Sequence, residues 1–261
     1  MKLKLNAILS SLILVGATGV NSAEVDWDRL LNAHKDKKNW MMYHQDFNSH
    51  HHSKLTQINT KNVKDLSVAF IHTPDATKRG IQSFPLAVDG VLYYTSASGK
   101  VWAIDGTNGK VIWSYKAKLD MERGEGTIYN PYNRGVAVAY GKVYMGTIDG
   151  RIIAIDRKTG KLVFDKMVMT TEKGNKGFTG APLIVKDKVL VGATGGEMSG
   201  CCGPLYAVNA QTGETEWQFD VIGGDQRSRD SWGNDSWKTG GGSMWQTGNY
   251  DPKTDTIWWG T

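Results

Sequence analysis

The sequence predicts an all-β chain, a β-propeller built from four-stranded blades. Three observations lead there. The stretch Val101–Trp113, VWAIDGTNGKVIW, recurs as Ile152–Phe164, IIAIDRKTGKLVF, and as Leu205–Trp217, LYAVNAQTGETEW. Aligned on Ala103, Ala154 and Ala207, the copies are 51 and 53 residues apart. A period of about 50 residues, each unit holding strands rather than helices, is the signature of a propeller. Ten tryptophans and 31 glycines beside six prolines fit many short strands joined by glycine turns, with aromatic rings packed between sheets. At about 50 residues per blade, the chain holds an incomplete set of about four to five blades.

Residues 1–23 read as a signal peptide. Lys2 and Lys4 precede the apolar run Ala7–Val20, and Ser22 and Ala23 offer a cleavage site. The run is shorter than the ~18–20 apolar residues of a membrane span, and Glu24, Asp26 and Asp28 follow at once. Residues 24–261 are then an exported, partial propeller domain in a bacterial periplasm with no membrane span. Removing residues 1–23 lowers the formal charge from +5 to +3. No basic run is present, so nucleic acid is excluded as a partner; the mild positive balance suits an acidic protein surface. Two adjacent cysteines are too few for a disulfide scaffold.

Residues 24–66 form a lead-in, and the repeats begin at about residue 67. Within Val25–Ala33, Trp27, Leu30 and Leu31 fall on one side of a helix. His50, His51 and His52 are consecutive; their side chains point in different directions and read as a solvated turn rather than a metal site. Leu55, Ile58, Val63 and Leu66 have helix-like spacing, and Ser67–His72 reads as a strand. In each repeat, a turn at Asp89-Gly90, Tyr140-Gly141 or Lys186-Asp187 leads into an apolar strand, Val91–Thr95, Lys142–Thr147 or Lys188–Thr194. The recurring hairpin follows, with glycine at Gly109, Gly160 and Gly213 where a turn needs positive φ. Trp113, Phe164 and Trp217 close the copies as rings docked between blades. Tyr250–Trp258 reads as a degenerate fourth copy.

Three insertions break the period: Lys116–Tyr132, Gly195–Gly203 and Gly223–Gly242. Excursions on a regular sheet scaffold are where sites are carried. Glu197, flanked by Gly195 and Gly196, is either an oxygen ligand for a hard cation or a loop acid in solvent. Cys201 and Cys202 are either a strained vicinal disulfide or two free thiols. In Gly240-Gly241-Gly242-Ser243-Met244-Trp245, glycines admit close backbone approach and the indole offers a flat face to a planar ligand; another inter-blade tryptophan is the alternative. Arg134, just before a strand, can fork onto a carboxylate or lie on the surface.

Taken together, Leu55-Thr56-Gln57-Ile58-Asn59, Pro85–Tyr93, Asn133-Arg134-Gly135, Thr179-Gly180-Ala181-Pro182, Gly195-Gly196-Glu197 and Gly240–Trp245 follow in an order that resembles the quinoprotein alcohol dehydrogenases of the methanol/ethanol family. These are eight-bladed propellers that use pyrroloquinoline quinone (PQQ). The resemblance runs from about Trp40 to the end. It implies that Arg134 and Thr179 bind the carboxylates and carbonyls of the quinone, that Thr194, Gly195 and Gly196 approach it by backbone, and that Ser243 hydrogen-bonds it. Trp245 would be the stacking floor. Glu197 would be a ligand of calcium or a lanthanide, which polarises the quinone as a Lewis acid. Gln82 stands where the family often has Glu, keeping a cofactor contact without its charge. The family's vicinal cysteines lie where this chain has Ile128 and Tyr129; Cys201 and Cys202 sit on a different loop.

The reading that follows is a periplasmic PQQ-dependent alcohol dehydrogenase. It would oxidise a small alcohol and pass electrons to a soluble cytochrome c, with a homodimer left open. No catalytic residue is assigned within the chain, because the family's general-base aspartate is expected beyond Thr261, in a chain truncated inside a strand. The alternative is a non-enzymatic propeller scaffold of the cell envelope, of the outer-membrane assembly type. Such a scaffold has no need of Arg134, Glu197 and the Gly-Gly-Gly-Ser-Met-Trp run together.

Overall fold

In the computed structural model, residues 24–75, 80–97, 99–120, 132–169, 177–196, 203–222 and 224–261 are described. Residues 1–23, read from the sequence as a signal peptide, and Ile128, Tyr129, Glu197, Cys201 and Cys202 lie outside them.

The repeats fold into consecutive antiparallel meanders. The first sheet is β1 (Leu86–Val88), β2 (Val91–Ser96), β3 (Lys100–Asp105) and β4 (Val111–Lys116). The second is β5 (Ala137–Ala139), β6 (Lys142–Gly146), β7 (Arg151–Asp156) and β8 (Leu162–Met167). The third is β9 (Leu183–Val185), β10 (Lys188–Gly192), β11 (Leu205–Asn209) and β12 (Thr215–Phe219). A two-stranded ribbon, β13 (Asn249–Asp251) and β14 (Thr256–Trp258), ends the chain. Burial grades along each meander. β5 and β9 are buried at every position, whereas β8 and β12 are mostly exposed, with no fully buried residue. The first strand of each sheet is thus innermost and the fourth lies at the rim, as in a propeller blade.

The recurring motif is explained by its pairing. Ala103 faces Trp113, Ala154 faces Phe164 and Ala207 faces Trp217, and a register shift follows each alanine. A small residue leaves room for the ring across the ladder, and the bulge sharpens the twist toward the next sheet. Asp105, Asp156 and Asn209 open the hairpin turns by accepting backbone N–H groups two or three residues on. Trp113 and Phe164 then seat on the glycine turn of the following blade. A Cβ on Gly160 would stand 2.8 Å from Trp113, and one on Gly213 would stand 2.8 Å from Phe164. Trp113 also donates its indole N–H to the Arg157 carbonyl at 2.9 Å. The rings are mortar between blades, as their sequence position implied.

Three expectations change. Leu55–Leu66 forms only a 3-10 turn at Val63–Asp65. Its apolar residues Leu55, Ile58, Val63 and Leu66 are all exposed, and a short helix with nothing to pack against is not stable on propensity alone. Ser67–His72 pairs in no ladder, although Phe70 seats on Gly109 as Trp113 seats on Gly160, so this segment takes the position of a blade's rim. Tyr250–Trp258 is not a fourth copy of the β3–β4 motif. It is the next strand pair after β12, in a separate sheet, and forms the opening strand pair of a fourth blade. Its Asp255 meets Lys186 of the β9–β10 turn at 2.9 Å.

The N-terminal segment crosses these sheets. The helix α1 (Trp27–Leu31) is capped by Asp26, whose carboxylate accepts the Arg29 N–H at 2.8 Å. Trp40 bridges Ala87 of β1, Tyr140 donates its N–H to the Val25 carbonyl, and Trp27 packs against Phe47 and Tyr250. One short segment therefore touches the inner ends of the first, second and fourth units.

Candidate functional site

In these meanders one end of every sheet carries the tight β1–β2 and β3–β4 type turns, and the other end carries the long links. The candidate residues gather at the long-link end. Arg134 lies on the approach to β5, between the approaches to β1 and β9. Its carbonyl accepts the Phe84 N–H and its N–H donates to the Thr179 carbonyl, both at 2.9 Å. This ladder fixes the backbone from which the guanidinium projects. Asn133 fixes it from below. Buried at 5% exposure, it donates to the Gly146 carbonyl at 2.8 Å and accepts the Gly135 N–H at 3.0 Å. Gly135 has φ +137°, a backbone that other residues rarely adopt.

The Arg134 side chain donates to the Thr179 hydroxyl at 2.8 Å, and its guanidinium carbon lies 4.5 Å from the centroid of the Trp245 ring. Such a cation over an indole is worth about 0.5–2 kcal/mol, depending on desolvation. Trp245 is held from behind. Gly180 passes so close that a Cβ there would stand 2.7 Å from the Trp245 carbonyl, and Thr247 donates its hydroxyl to the Ala181 carbonyl at 2.8 Å. Ser243, 3% exposed, accepts the Gly196 N–H at 2.8 Å. Met244 donates its N–H to the Ala193 carbonyl at 3.0 Å, and Thr194 donates its own to the Gly177 carbonyl at 2.9 Å. The structure therefore brings Arg134, Thr179, Thr194, Gly195, Gly196, Ser243 and Trp245 to one place. Gln82 is exposed and makes no hydrogen bond among the described residues.

Among the described residues the cluster is a cation without a local counter-charge. Burial pushes the Arg134 guanidinium below its ordinary value, and the phenols of Tyr43 and Tyr132 offset this only in part. It stays protonated at neutral pH. No carboxylate pairs with it among the described residues. A half-buried guanidinium above a flat indole, a buried hydroxyl and glycine backbone at the rim fit a planar, polycarboxylate ring system. The arginine fork takes an anionic group, and the indole takes the ring face. The site residues thus suit pyrroloquinoline quinone. Sequence reasoning gave Asn133 no role, although its place beside Arg134 and Gly135 was the available signal. Tyr43, Trp40 and Phe84, which form an aromatic wall beside Arg134, come from remote segments with no shared motif.

At the opposite, tight-turn end, Asp89 binds Arg29 and Arg157, each at 2.6 Å. Burial alone would raise its carboxyl, but hydrogen bonds from Arg29 and Arg157 more than offset this and hold it below the ordinary carboxylate value. This network joins the first and second blades to the N-terminal helix.

The fold is that of a propeller, with a cation set over an indole at its long-link end. Residues 40–261 match the family described as PQQ: glucose/ethanol/alcohol dehydrogenase, β-propeller domain, and the chain belongs to it. It is 34% identical over its whole length to the quinohemoprotein alcohol dehydrogenase ADH-IIG of Pseudomonas putida, of which it covers 38%. The solved structure of that enzyme superposes over 92% of this chain, and 36% of its own, with a TM-score of 0.84. A lanthanide-dependent methanol dehydrogenase of Methylacidiphilum fumariolicum (strain SolV) is 34% identical over 97% of this chain and 44% of the relative. A europium-containing methanol dehydrogenase structure matches with a TM-score of 0.80 at 34% identity, over 88% of this chain and 43% of that one. The chain spans about a third of the length of the first curated relatives it matches, at 38%, 33% and 32%.

Proposed function

We propose that this chain binds pyrroloquinoline quinone at the Arg134–Trp245 cluster and serves a periplasmic dehydrogenase that oxidises a small alcohol and passes electrons to a soluble cytochrome c. The observation that carries the reading is the Arg134 guanidinium held by Thr179 above the Trp245 ring. When bound, the quinone supplies a two-electron acceptor, activated by a hard cation, calcium or a lanthanide, acting as Lewis acid.

The chain's own residues do the positioning. Trp245 provides the floor, and its carbonyl packed against Gly180 holds its backbone in place. Arg134 clamps an anionic edge, and its backbone ladder to Phe84 and Thr179 keeps the fork from swinging away. Ser243, through the Gly196 N–H, holds the Gly195-Gly196 backbone that precedes Glu197. Glu197 is the cation ligand in this reading, and no catalytic base is assigned within the chain.

Fluorescence titration of the protein with the quinone in the presence of Ca2+ or La3+ tests the proposal. Arg134→Leu and Trp245→Ala should each weaken binding at least tenfold with unchanged far-UV circular dichroism, and Glu197→Gln should lower bound metal. Binding unaffected by both of the first two variants would refute the site.

A further inference from the structure

Residues 44–52 take no part in the Arg134–Trp245 cluster, yet they carry four of the six histidines in the chain. Nδ1 of His44 and Nε2 of His51 stand 2.9 Å apart, with the rings nearly perpendicular at 88°. The other nitrogen of His44, Nε2, faces the Gly248 carbonyl at 3.1 Å and the Thr247 carbonyl at 3.3 Å. A carbonyl only accepts, so Nε2 carries the hydrogen and Nδ1 turns a lone pair toward His51. Protein imidazoles that ligate metals are commonly held this way, with the far N–H on a backbone carbonyl that fixes tautomer and ring.

The spacing is that of two ligands on one ion. Nitrogens about 2.0–2.1 Å from a cation, at angles between square and tetrahedral, lie about 2.8–3.4 Å from each other. His51 reaches this place from a left-handed backbone, φ +47°, which costs a non-glycine residue about 1–2 kcal/mol. Strain of that kind marks placement rather than relaxation. His44 is half-buried and anchored, whereas His50, His51 and His52 are exposed, which supplies both an entry path and spare donors.

We propose that His44 and His51 form a binding site for a borderline transition-metal ion, Zn2+ or Cu2+, separate from the cation position of Glu197. Imidazole suits such ions and not the hard cations of the cofactor site. Among the described residues no group of three metal-ligating side chains is assembled, so water or a rotated His50 or His52 completes the shell. The ion pins the 50–52 turn to His44. Through the two carbonyl contacts it braces the segment just after Trp245.

Zn2+ titration of the metal-free full chain by calorimetry, paired with thermal melting, decides it. One equivalent should bind at neutral pH and raise Tm. His51→Ala, at an exposed position, should fold normally, lose at least tenfold in affinity and lose the rise in Tm, and His44→Ala should do the same. Binding that survives in His44→Ala/His51→Ala and vanishes in His50→Ala/His52→Ala would place the ion on a surface cluster and overturn the proposal. Absence of one-equivalent binding would overturn it too, leaving a plain imidazole–imidazole hydrogen bond.

Discussion

The seat of one blade's ring on the next blade's glycine turn can be measured with a pair of alanine substitutions. Gly90 and Gly160 both have positive φ, +81° and +71°, so alanine at either pays the same left-handed backbone cost of about 1–2 kcal/mol. Their surroundings differ. A Cβ on Gly90 meets nothing within 4 Å, whereas one on Gly160 stands 2.8–2.9 Å from three atoms of Trp113. Trp113 is 8% exposed and tied to the Arg157 carbonyl, so it cannot slide away without losing that bond. Overpacking of this kind adds about 1–3 kcal/mol. Gly160→Ala should therefore destabilise the chain by about 2–5 kcal/mol and Gly90→Ala by about 1–2 kcal/mol, read as shifts in urea midpoint at constant m-value. Trp113→Ala in the Gly160→Ala background should then cost less than it does alone, because the two share one contact. Equal effects of the two glycine variants, or strict additivity of Gly160→Ala with Trp113→Ala, would refute the interlocking seat.

Two further predictions concern the ends of the sheets. Asp89, held below the ordinary carboxylate value, contributes stability that is present above about pH 4 and is lost as the pH falls through its folded value. Asp89→Asn should accordingly lower stability at pH 7 and flatten the acid limb of a stability–pH curve; an unchanged acid limb would show that the Arg29 and Arg157 contacts contribute nothing. Ser243→Ala removes the acceptor of the buried Gly196 N–H, which should cost about 1–3 kcal/mol and weaken quinone binding; wild-type stability by denaturant titration would contradict the assigned bond.

The parts legible in the sequence are those whose causes are local. A hairpin repeats because Ala103, Ala154 and Ala207 must each stand opposite a ring, and that requirement recurs in the sequence at each blade. Trp245 stood out for the glycines before it and Arg134 for its place just before a strand, whereas Thr179 and Ser243 were named only through the family resemblance. The misread parts are set by distant partners. Leu55–Leu66 has a helical spacing but no surface to bury it, and Phe70 finds its place only against Gly109, 39 positions along. Trp27, Phe47 and Tyr250 meet across more than 200 residues, with no shared motif to announce them. Gln82 was matched by position alone, and its exposed side chain makes no hydrogen bond among the described residues.

Why the cofactor cluster lies at this end follows from the meander itself. At the tight-turn end each connection is two to five residues long and closed by its own hydrogen bonds, which leaves little room for a ligand. The opposite end holds every inter-blade link and every insertion, so only there can the chain vary without breaking a ladder. Neighbouring approaches then bond to each other, Phe84 to Arg134, Arg134 to Thr179 and Ala181 to Thr247, and this sequence of contacts runs from the first blade to the fourth. Arg134 and Trp245 are more than 100 positions apart, yet their separation is set by that ladder and by the ring-on-glycine seats beneath it. The geometry of the clamp is thus a property of the interlocked blades rather than of either loop.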